Sequence, residues 1–368
     1  KLNLLMKKII DRKFCVAPMM GYTTPYARNL YRILSKKTFL FSEMIATKTL
    51  IYSKNTQSVI ANEKQNPIAL QVGGSEYDDL KLSSKLAYEL NYDEINLNVG
   101  CPSKAVQKGS FGACLMQDKK LVRNCLDAMQ INNNIDVSIK CRIGLGKEFN
   151  YDFFEEFIDE ILKSGVKLVY IHARNAILTG ISPKGNRNIP PLNYDFVSRI
   201  KTKYPEITFI LNGGIDSIEN ALELSKKHDG VMLGRLVQNN PFCLKDVDRL
   251  FYKETNKYII SENTIKDYFD FIRPKIGKDS IYRLLSPLLN IFFGIPDSKQ
   301  FKIDIHSEMK NHNFDSLEKI FLKFVNNKYF NDIQPKLLEL EKIRDEAYIQ
   351  WQRAKRISLI HNPTPENV

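Results

Sequence analysis

The chain of 368 residues is 43% hydrophobic and 26% charged, the composition of a globular protein of one large domain or two. No apolar run approaches the roughly 20 residues that span a bilayer, and the six cysteines form no Cys-x-x-Cys pair, so the composition disfavours a membrane protein, a disulfide scaffold and a metal site. The formal charge of +12 favours an anionic partner such as nucleic acid. We expect a reducing compartment, the cytoplasm; an organelle is the alternative, since the sequence begins at Lys1 and leaves open a preceding targeting segment.

Short apolar runs alternate with longer amphipathic segments over most of the chain. The predicted strands are Phe14–Ala17, Phe39–Phe41, Ile68–Val72, Glu94–Asn98, Val137–Lys140, Leu168–His172, Thr208–Asn212 and Gly230–Leu233. The predicted helices between them include Tyr77–Leu90, Lys119–Met129, Phe153–Lys163 and Ser217–His228. Eight such units in about 220 residues match the size of a (β/α)8 TIM barrel. A doubly wound open sheet is the alternative, and the barrel is favoured because residues suited to a site follow the strands directly.

Polar and glycine-rich residues follow these strands at the end where a barrel of this kind carries its catalytic loops. In chain order they are Pro18-Met19, Glu43-Met44, Gln71-Val72-Gly73-Gly74, Asn98, Lys140-Cys141-Arg142, His172-Ala173-Arg174, Asn212-Gly213-Gly214 and Gly234-Arg235. A single polar residue at a strand end could be structural, but such groups at all eight strand ends are hard to explain in that way. They predict one active site at this end of the barrel.

Cys101 lies just after the fourth predicted strand, in the turn Gly100-Cys101-Pro102. Gly100 permits backbone angles that other residues avoid, and Pro102 restricts Cys101, so the thiol has a defined direction. A free thiol is mostly protonated near neutral pH and can donate a proton. The alternative interpretation is a small buried hydrophobic residue.

The glycines after the seventh and eighth strands indicate a phosphate site, because exposed backbone amides attract a phosphate dianion. With Arg235 they favour a phosphorylated cofactor such as FMN. Lys140 suits the anionic edge of a reduced flavin, although a Schiff base or a salt bridge is equally open. His172 is interpreted as a hydrogen-bond partner of the flavin or its phosphate, rather than a core histidine or a general base. Gln71 matches a pyrimidine-like edge.

The C-terminal part changes character after Pro241. Predicted helices at Asp267–Ile272, Ile281–Phe293 and Ser316–Phe330 indicate a small helical domain, and Lys336–Ile360 a long amphipathic helix. We therefore predict a barrel domain over residues 1–245, a helical domain over 246–335, and a C-terminal helix with a disordered tail over 336–368. In the barrel, the loop 182–191 either contacts RNA phosphates through Lys184 and Arg187 or is an ordinary solvated loop.

Seven motifs together resemble the tRNA-dihydrouridine synthases, over roughly Phe14 to Lys310. They are Ala17-Pro18-Met19, Gln71-x-Gly73-Gly74, Asn96-x-Asn98-x-Gly100-Cys101-Pro102-Ser103, Lys140-x-Arg142, Ile171-His172-Ala173-Arg174, Asn212-Gly213-Gly214 and Gly234-Arg235. The segment 106–116 and the loop 182–191 are similar to the A subfamily in particular.

The resemblance implies an FMN-bound barrel that uses NADPH to reduce a uridine of the tRNA D-loop, at position 20 and its neighbour. We also expect a monomer that binds neither metal nor membrane. Reduced FMN would pass hydride to uracil carbon 6, and Cys101 would protonate carbon 5. The resemblance assigns the flavin to Pro18, Met19, Met20, Gln71, Lys140, His172, Asn212, Gly213, Gly214, Gly234 and Arg235. It assigns the RNA to Asn98, Arg142, Lys184, Arg187, Lys299 and Lys302.

The chain departs from the family pattern at four places. Thr23-Thr24-Pro25 stands where an acidic residue is usual, Ser110 where the A subfamily often has arginine, and residues 294–299 differ from the usual Gly-Ala pattern. The predicted helix Lys336–Ile360 is longer than in typical bacterial members. These departures bear on the RNA contacts and leave the flavin residues intact. Two alternatives remain: a flavin enzyme that reduces a free pyrimidine or another enone, and a tRNA-binding protein without turnover.

Overall fold

The computed structural model describes residues 10–54, 56, 60–131, 135–292 and 298–326. The chain divides into two compact units, with the boundary between Ile259 and Ile260. None of the helices in these ranges is long and apolar enough to cross a membrane.

The first unit contains nine strands within its described residues. They are β1 (Phe14–Val16), β2 (Leu40–Phe41), β3 (Ile45–Ala46), β4 (Ile68–Gly73), β5 (Glu94–Val99), β6 (Asp136–Arg142), β7 (Leu168–His172), β8 (Thr208–Asn212) and β9 (Gly230–Leu233). Eight of them pair in parallel in the order β1-β9-β8-β7-β6-β5-β4-β2, and β3 adds to β4. A bridge between Cys15 and Phe39 joins the two ends of this row. The predicted (β/α)8 barrel is therefore confirmed.

Ten α-helices accompany these strands in the described part of the first unit. They are α1 (Pro25–Leu34), α2 (Thr47–Tyr52), α3 (Tyr77–Glu89), α4 (Lys104–Lys108), α5 (Lys119–Gln130), α6 (Tyr151–Leu162), α7 (Tyr194–Lys203), α8 (Ile218–Ser225), α9 (Arg235–Asn239) and α10 (Val247–Tyr252). Short 3-10 helices lie at Gly112–Gln117, Gly185–Arg187 and Pro241–Asp246.

The predicted helices at α3, α5, α6 and α8 are present; the last three have a side-chain N-cap that agrees with their apolar spacing. In α5 the Asp118 side chain accepts the N–H of Leu121 at 3.0 Å, and the inward face from Val122 to Met129 is buried. The helix α1 was not predicted from the sequence. Its inner face carries Arg28 and Arg32. Both guanidinium groups are buried and donate to backbone carbonyls, so the helix lacks a continuous apolar stripe.

The barrel interior is apolar near its closing seam and polar on the other side. Phe39, Phe41 and Tyr170 pack edge to face inside it, with ring centroids 5.6 and 5.0 Å apart. The Glu94 carboxylate is buried at the amino-terminal end of β5, where the Arg12 guanidinium lies 2.8 Å away.

The boundary of the first unit falls later than the predicted one after Lys245, because α10 packs on the barrel. The Tyr252 hydroxyl accepts the N–H of Phe14 at 3.1 Å. The Asp248 carboxylate accepts the Ser35 hydroxyl at 2.5 Å and the N–H of Lys36 at 2.7 Å. These bonds attach α10 to β1 and to the end of α1.

The second unit is helical in its described residues. Its helices are α11 (Glu262–Ile272), α12 (Ile281–Leu289), α13 (Ser298–Lys310) and α14 (Phe314–Val325), with 3-10 turns at Arg273–Lys275 and Asn290–Phe292. Phe269 packs against Phe314 and Phe321 at centroid distances of 5.6 and 5.8 Å. The predicted helix at Lys336–Ile360 and the tail beyond it lie outside the described residues.

Candidate active site

One cavity of about 660 Å³ lies at the carboxyl ends of the barrel strands, and fifteen of the residues predicted for the site line it. They are Pro18, Met19, Met20, Gln71, Asn98, Cys101, Lys140, Arg142, His172, Arg187, Asn212, Gly213, Gly214, Gly234 and Arg235. Lys184 is exposed on the neighbouring loop and does not line it. Lys299 and Lys302 are exposed on α13 of the second unit.

The turn that carries Cys101 is fixed from both sides. The Asn98 Oδ1 atom accepts the N–H groups of Gly100 and Cys101 at 3.1 and 3.0 Å. The Cys101 carbonyl accepts the N–H of Ala113 at 2.9 Å. The half-buried thiol lies 3.6 Å from the Ser103 hydroxyl and lines the cavity. The backbone therefore holds the sulfur in place while leaving it open to a ligand.

Lys140 lies two residues before the end of β6, and one amide holds its ammonium group. Its Nζ donates to Asn212 Oδ1 at 3.0 Å, and Asn212 Nδ2 donates to the Met232 carbonyl at 2.7 Å. Burial lowers the pKa of Lys140 to about 8, with the charge of Arg142 as the second cause. An anion bound beside this ammonium group would reverse that effect, so the position favours a negatively charged ligand.

Arg142 joins two loops of the site. Its Nε donates to the Gly100 carbonyl at 2.9 Å, and its Nη1 to the carbonyls of Asn175 and Asn186 at 3.0 and 3.1 Å. Burial lowers the pKa of Arg142 to about 10, which the thiol of Cys101 opposes. The guanidinium therefore connects the Cys101 turn with the loop 182–191.

His172 is neutral at pH 7 and lies close to the glycine turn after β8. Burial, followed by the charges of Arg142 and Lys140, holds the pKa of His172 well below its usual value. Gly213 has φ of +116°, and a Cβ there would lie 2.6 Å from His172 Cδ2. Only glycine allows the backbone to approach the imidazole this closely.

Positive charge dominates the cavity. Its basic lining residues are Lys140, Arg142, Arg187 and Arg235, and no aspartate or glutamate is among the described residues that line it. Arg174 lies near His172 and Arg235, and its Nε atom is buried without a hydrogen-bond partner in the described part of the chain. Cations with no carboxylate among the described lining residues attract an anionic ligand.

The lining residues that the sequence analysis did not assign to the site include Tyr22, Ser103, Phe111 and Ile215. Met20 and Tyr22 are exposed at the rim, 63% and 49% respectively, on a loop that the Glu43 carboxylate holds by accepting the N–H of Gly21 at 2.6 Å. Phe111 packs on Gly73, where a Cβ would lie 2.5 Å from its ring. Two of these four lie in segments that the sequence analysis singled out: Ser103 in the motif of the cysteine turn, and Phe111 in the segment 106–116.

A closed (β/α)8 barrel with a thiol, an ammonium group and a glycine turn around one cationic cavity is typical of an enzyme's active site. Residues 15–326 match the family model described as dihydrouridine synthase. The chain belongs to the dihydrouridine synthase family, and is therefore an oxidoreductase. The resemblance found in the motifs is confirmed.

Relatives with similar sequences extend over most of the chain. A tRNA-dihydrouridine(20/20a) synthase of Shewanella oneidensis is 38% identical over 303 residues, which cover 82% of this chain and 90% of the relative. Another from Shigella flexneri is 39% identical over 292 residues, which cover 79% and 86% respectively. Among solved structures, an old yellow enzyme homologue of Zymomonas mobilis is similar with a TM-score of 0.46 and 12% identity, covering 70% of this chain and 92% of that chain.

Proposed function

We propose that this protein is an FMN-dependent tRNA-dihydrouridine synthase, which reduces uridine to 5,6-dihydrouridine in the tRNA D-loop, at position 20 and its neighbour. The relatives named for this activity support the substrate and the position. The observation that carries the proposal is the placement of Cys101, Lys140 and Gly213 around one cavity in a chain of this family.

The described residues fit FMN. Gly213, Gly214, Gly234 and Arg235 surround the cationic end of the cavity and would hold the phosphate, near the unpartnered Nε of Arg174. Lys140, Gln71 and neutral His172 would contact the polar edges of the ring system, with Pro18, Met19 and Met20 as neighbouring contacts. When bound and reduced, the flavin supplies a hydride to carbon 6 of the uracil.

Cys101 would supply the proton to carbon 5. The thiol points into the cavity on a turn that Asn98 and Arg142 fix, so its position is set before the substrate enters. Loss of the proton leaves a thiolate, and Lys140 and Arg142 are the nearby cations that stabilise it. Asn98 has an amide at the same surface and would face the uracil.

The RNA would approach over the cationic rim. Arg187 lines the cavity and Lys184 is exposed on the same loop, so both would contact phosphates around a uridine that has turned out of the RNA fold. Lys299 and Lys302 on α13 would add phosphate contacts from the second unit. We further propose that the barrel unit carries the catalysis and the helical unit binds tRNA.

Electrons would come from NADPH, and the protein would act as a monomer in the cytoplasm. All six cysteines are free, which supports a reducing compartment.

The test is direct reduction of defined substrates. Flavin-loaded protein with NADPH should form dihydrouridine in unmodified tRNA and far less in free uridine or uracil, as measured by mass spectrometry of digested RNA. Sequencing of the product should place the modification at positions 20 and 20a. Equal turnover of free uridine, or flavin-loaded protein that leaves tRNA unchanged, would refute the proposal.

A further inference from the structure

A row of hydrogen-bonded polar side chains runs inside the barrel from its floor to the Cys101 turn. The Ser138 hydroxyl donates to the Glu94 carboxylate, and Asn96 Nδ2 donates to Ser138 Oγ at 2.7 Å. Gln71 Nε2 donates to Asn96 Oδ1, and Asn98 Nδ2 to Gln71 Oε1, both at 2.8 Å. Asn98 Oδ1 then accepts the N–H of Cys101.

The register of the barrel places these groups side by side. Gln71 on β4 lies opposite Asn96 on β5, which lies opposite Ser138 on β6. All three are essentially inaccessible to solvent, at 1%, 0% and 0%. Because no water can replace a lost partner there, reversing any one amide would leave buried donors and acceptors unpaired.

The carboxylate at the floor gives the row its direction. Glu94 is surrounded by donors: Arg12 at 2.8 Å, the Tyr170 hydroxyl at 3.2 Å and Ser138. Since Ser138 gives its only proton to Glu94, its oxygen must accept from Asn96. Each amide is then oriented by the preceding group in the row, and the oxygen of Asn98 is turned toward the N–H of Cys101.

We propose that Glu94, Ser138 and Asn96 are positioning residues for Cys101, acting through Gln71 and Asn98. None of the three is among the described residues that line the cavity, so they act without touching the substrate. The expected loss of tRNA turnover rests on the proposed function of Cys101. The expected loosening of the Gly100–Cys101 backbone does not depend on that function.

Ser138→Ala removes the connection between Asn96 and the carboxylate. The matched control is Ser84→Ala, which also deletes a fully buried hydroxyl with one hydrogen bond, to the Met129 carbonyl at 2.7 Å, away from the cavity. In flavin-loaded protein, hydrogen exchange of the Gly100 and Cys101 amides should become about tenfold faster in Ser138→Ala and stay unchanged in Ser84→Ala.

The same variants separate positioning from general damage to the fold. Turnover of tRNA should fall about tenfold in Ser138→Ala with little change in KM, while reduction of the bound flavin by NADPH stays as in the wild type, because that step does not use the thiol. Ser138→Thr keeps the hydroxyl and should restore both exchange and turnover. Where Ser138→Ala does not fold, Asn96→Leu breaks the same connection and is measured instead.

The outcomes distinguish the two proposals. Unchanged exchange at Gly100 and Cys101 in folded Ser138→Ala, or equal acceleration in Ser84→Ala, overturns the positioning role. Faster exchange with wild-type turnover also overturns it, since the turn then need not be held. A wild-type protein that does not reduce tRNA refutes the proposed function alone, because the exchange experiment still reports on the turn.

Discussion

The guanidinium of Arg142 donates to the carbonyl of Gly100 over 2.9 Å, next to the cysteine that is proposed to donate the proton. The same side chain reaches the carbonyl of Asn186 at 3.1 Å. Two loops far apart in sequence are thus held by one buried cation, which ties the shape of the cavity entrance to the position of the thiol.

Arg142→Lys should lower the free energy of unfolding by about 2 kcal/mol, because an ammonium group keeps the charge and cannot reach the three carbonyls at once. Urea unfolding measures the change. Arg249→Lys is the control, since that side chain is exposed and, among the described residues, bonds only to Asp246, at 3.4 Å. An equally stable Arg142→Lys protein would show that the two loops do not depend on the guanidinium.

Cys101→Ala should keep its bound flavin and lose turnover of tRNA by at least about 100-fold, the usual contribution of a positioned acid. Cys114→Ala is matched to it: this thiol is also half-buried, donates to the Phe111 carbonyl at 3.1 Å and is not among the described residues that line the cavity. Dihydrouridine formation by both variants, at equal flavin content, is the measurement. Full activity in Cys101→Ala would remove the thiol from the mechanism.

Lys140→Met should stabilise the flavin-free protein most at pH 7. The pKa of Lys140 is about 8 in the folded chain and near 10.4 when unfolded, so between these values the unfolded chain binds more protons and the wild type gains stability as pH rises. The advantage of the methionine variant should therefore shrink between pH 8 and about 10.4. Melting temperatures of both proteins across this pH range test whether the difference in stability shrinks. A difference that stays constant contradicts the prediction.

Gly213→Ala should reduce the flavin content of purified protein at least about tenfold, because the added methyl group meets His172 at a backbone angle that other residues avoid. Gly165→Ala is the control that separates backbone strain from the steric clash with His172. That residue also has positive φ, +85°, but nothing lies within 4 Å of its Cβ position. Absorbance at the flavin and protein bands gives the ratio, and equal losses in both variants would count against a specific role for Gly213.

Arg187→Gln should weaken binding of tRNA and lower the slope of log affinity against log salt concentration by about 1, as expected for one phosphate contact. Lys85→Gln is the control, as an exposed cation paired with Glu89 on the surface of α3. Binding titrations at several salt concentrations give both slopes. An unchanged slope in Arg187→Gln would place the RNA elsewhere.

The barrel could be predicted from the sequence because strands buried on both faces are short apolar runs. Ile68–Val72 and Leu168–His172 are clear examples of such runs. The residues at the strand ends follow from that phase. The short strand β3 and the helix α1 were not predicted: β3 is two residues added at the edge of β4, and α1 buries two arginines.

The contacts within the site are a different matter. Asn96 and Ser138 are ordinary polar residues in their own strands, and only the register of β5 on β6 brings them together. The partners of Arg142 could not be predicted either, because Gly100, Asn175 and Asn186 lie on loops whose proximity is not evident from the sequence. Lys140 and Asn212 were each predicted as flavin contacts, while their hydrogen bond to each other was not.

Arg12 precedes the first strand, yet its guanidinium is the counter-ion of Glu94 and also donates to Asp136 at 3.0 Å. Shortened forms made for crystallisation or tagging must therefore retain this arginine. A form that starts after Arg12 would leave the buried Glu94 carboxylate without its cation, which would lower the free energy of unfolding by roughly 3–5 kcal/mol. The amino-terminal limit for trimming is thus set by the barrel's floor, not by its first strand.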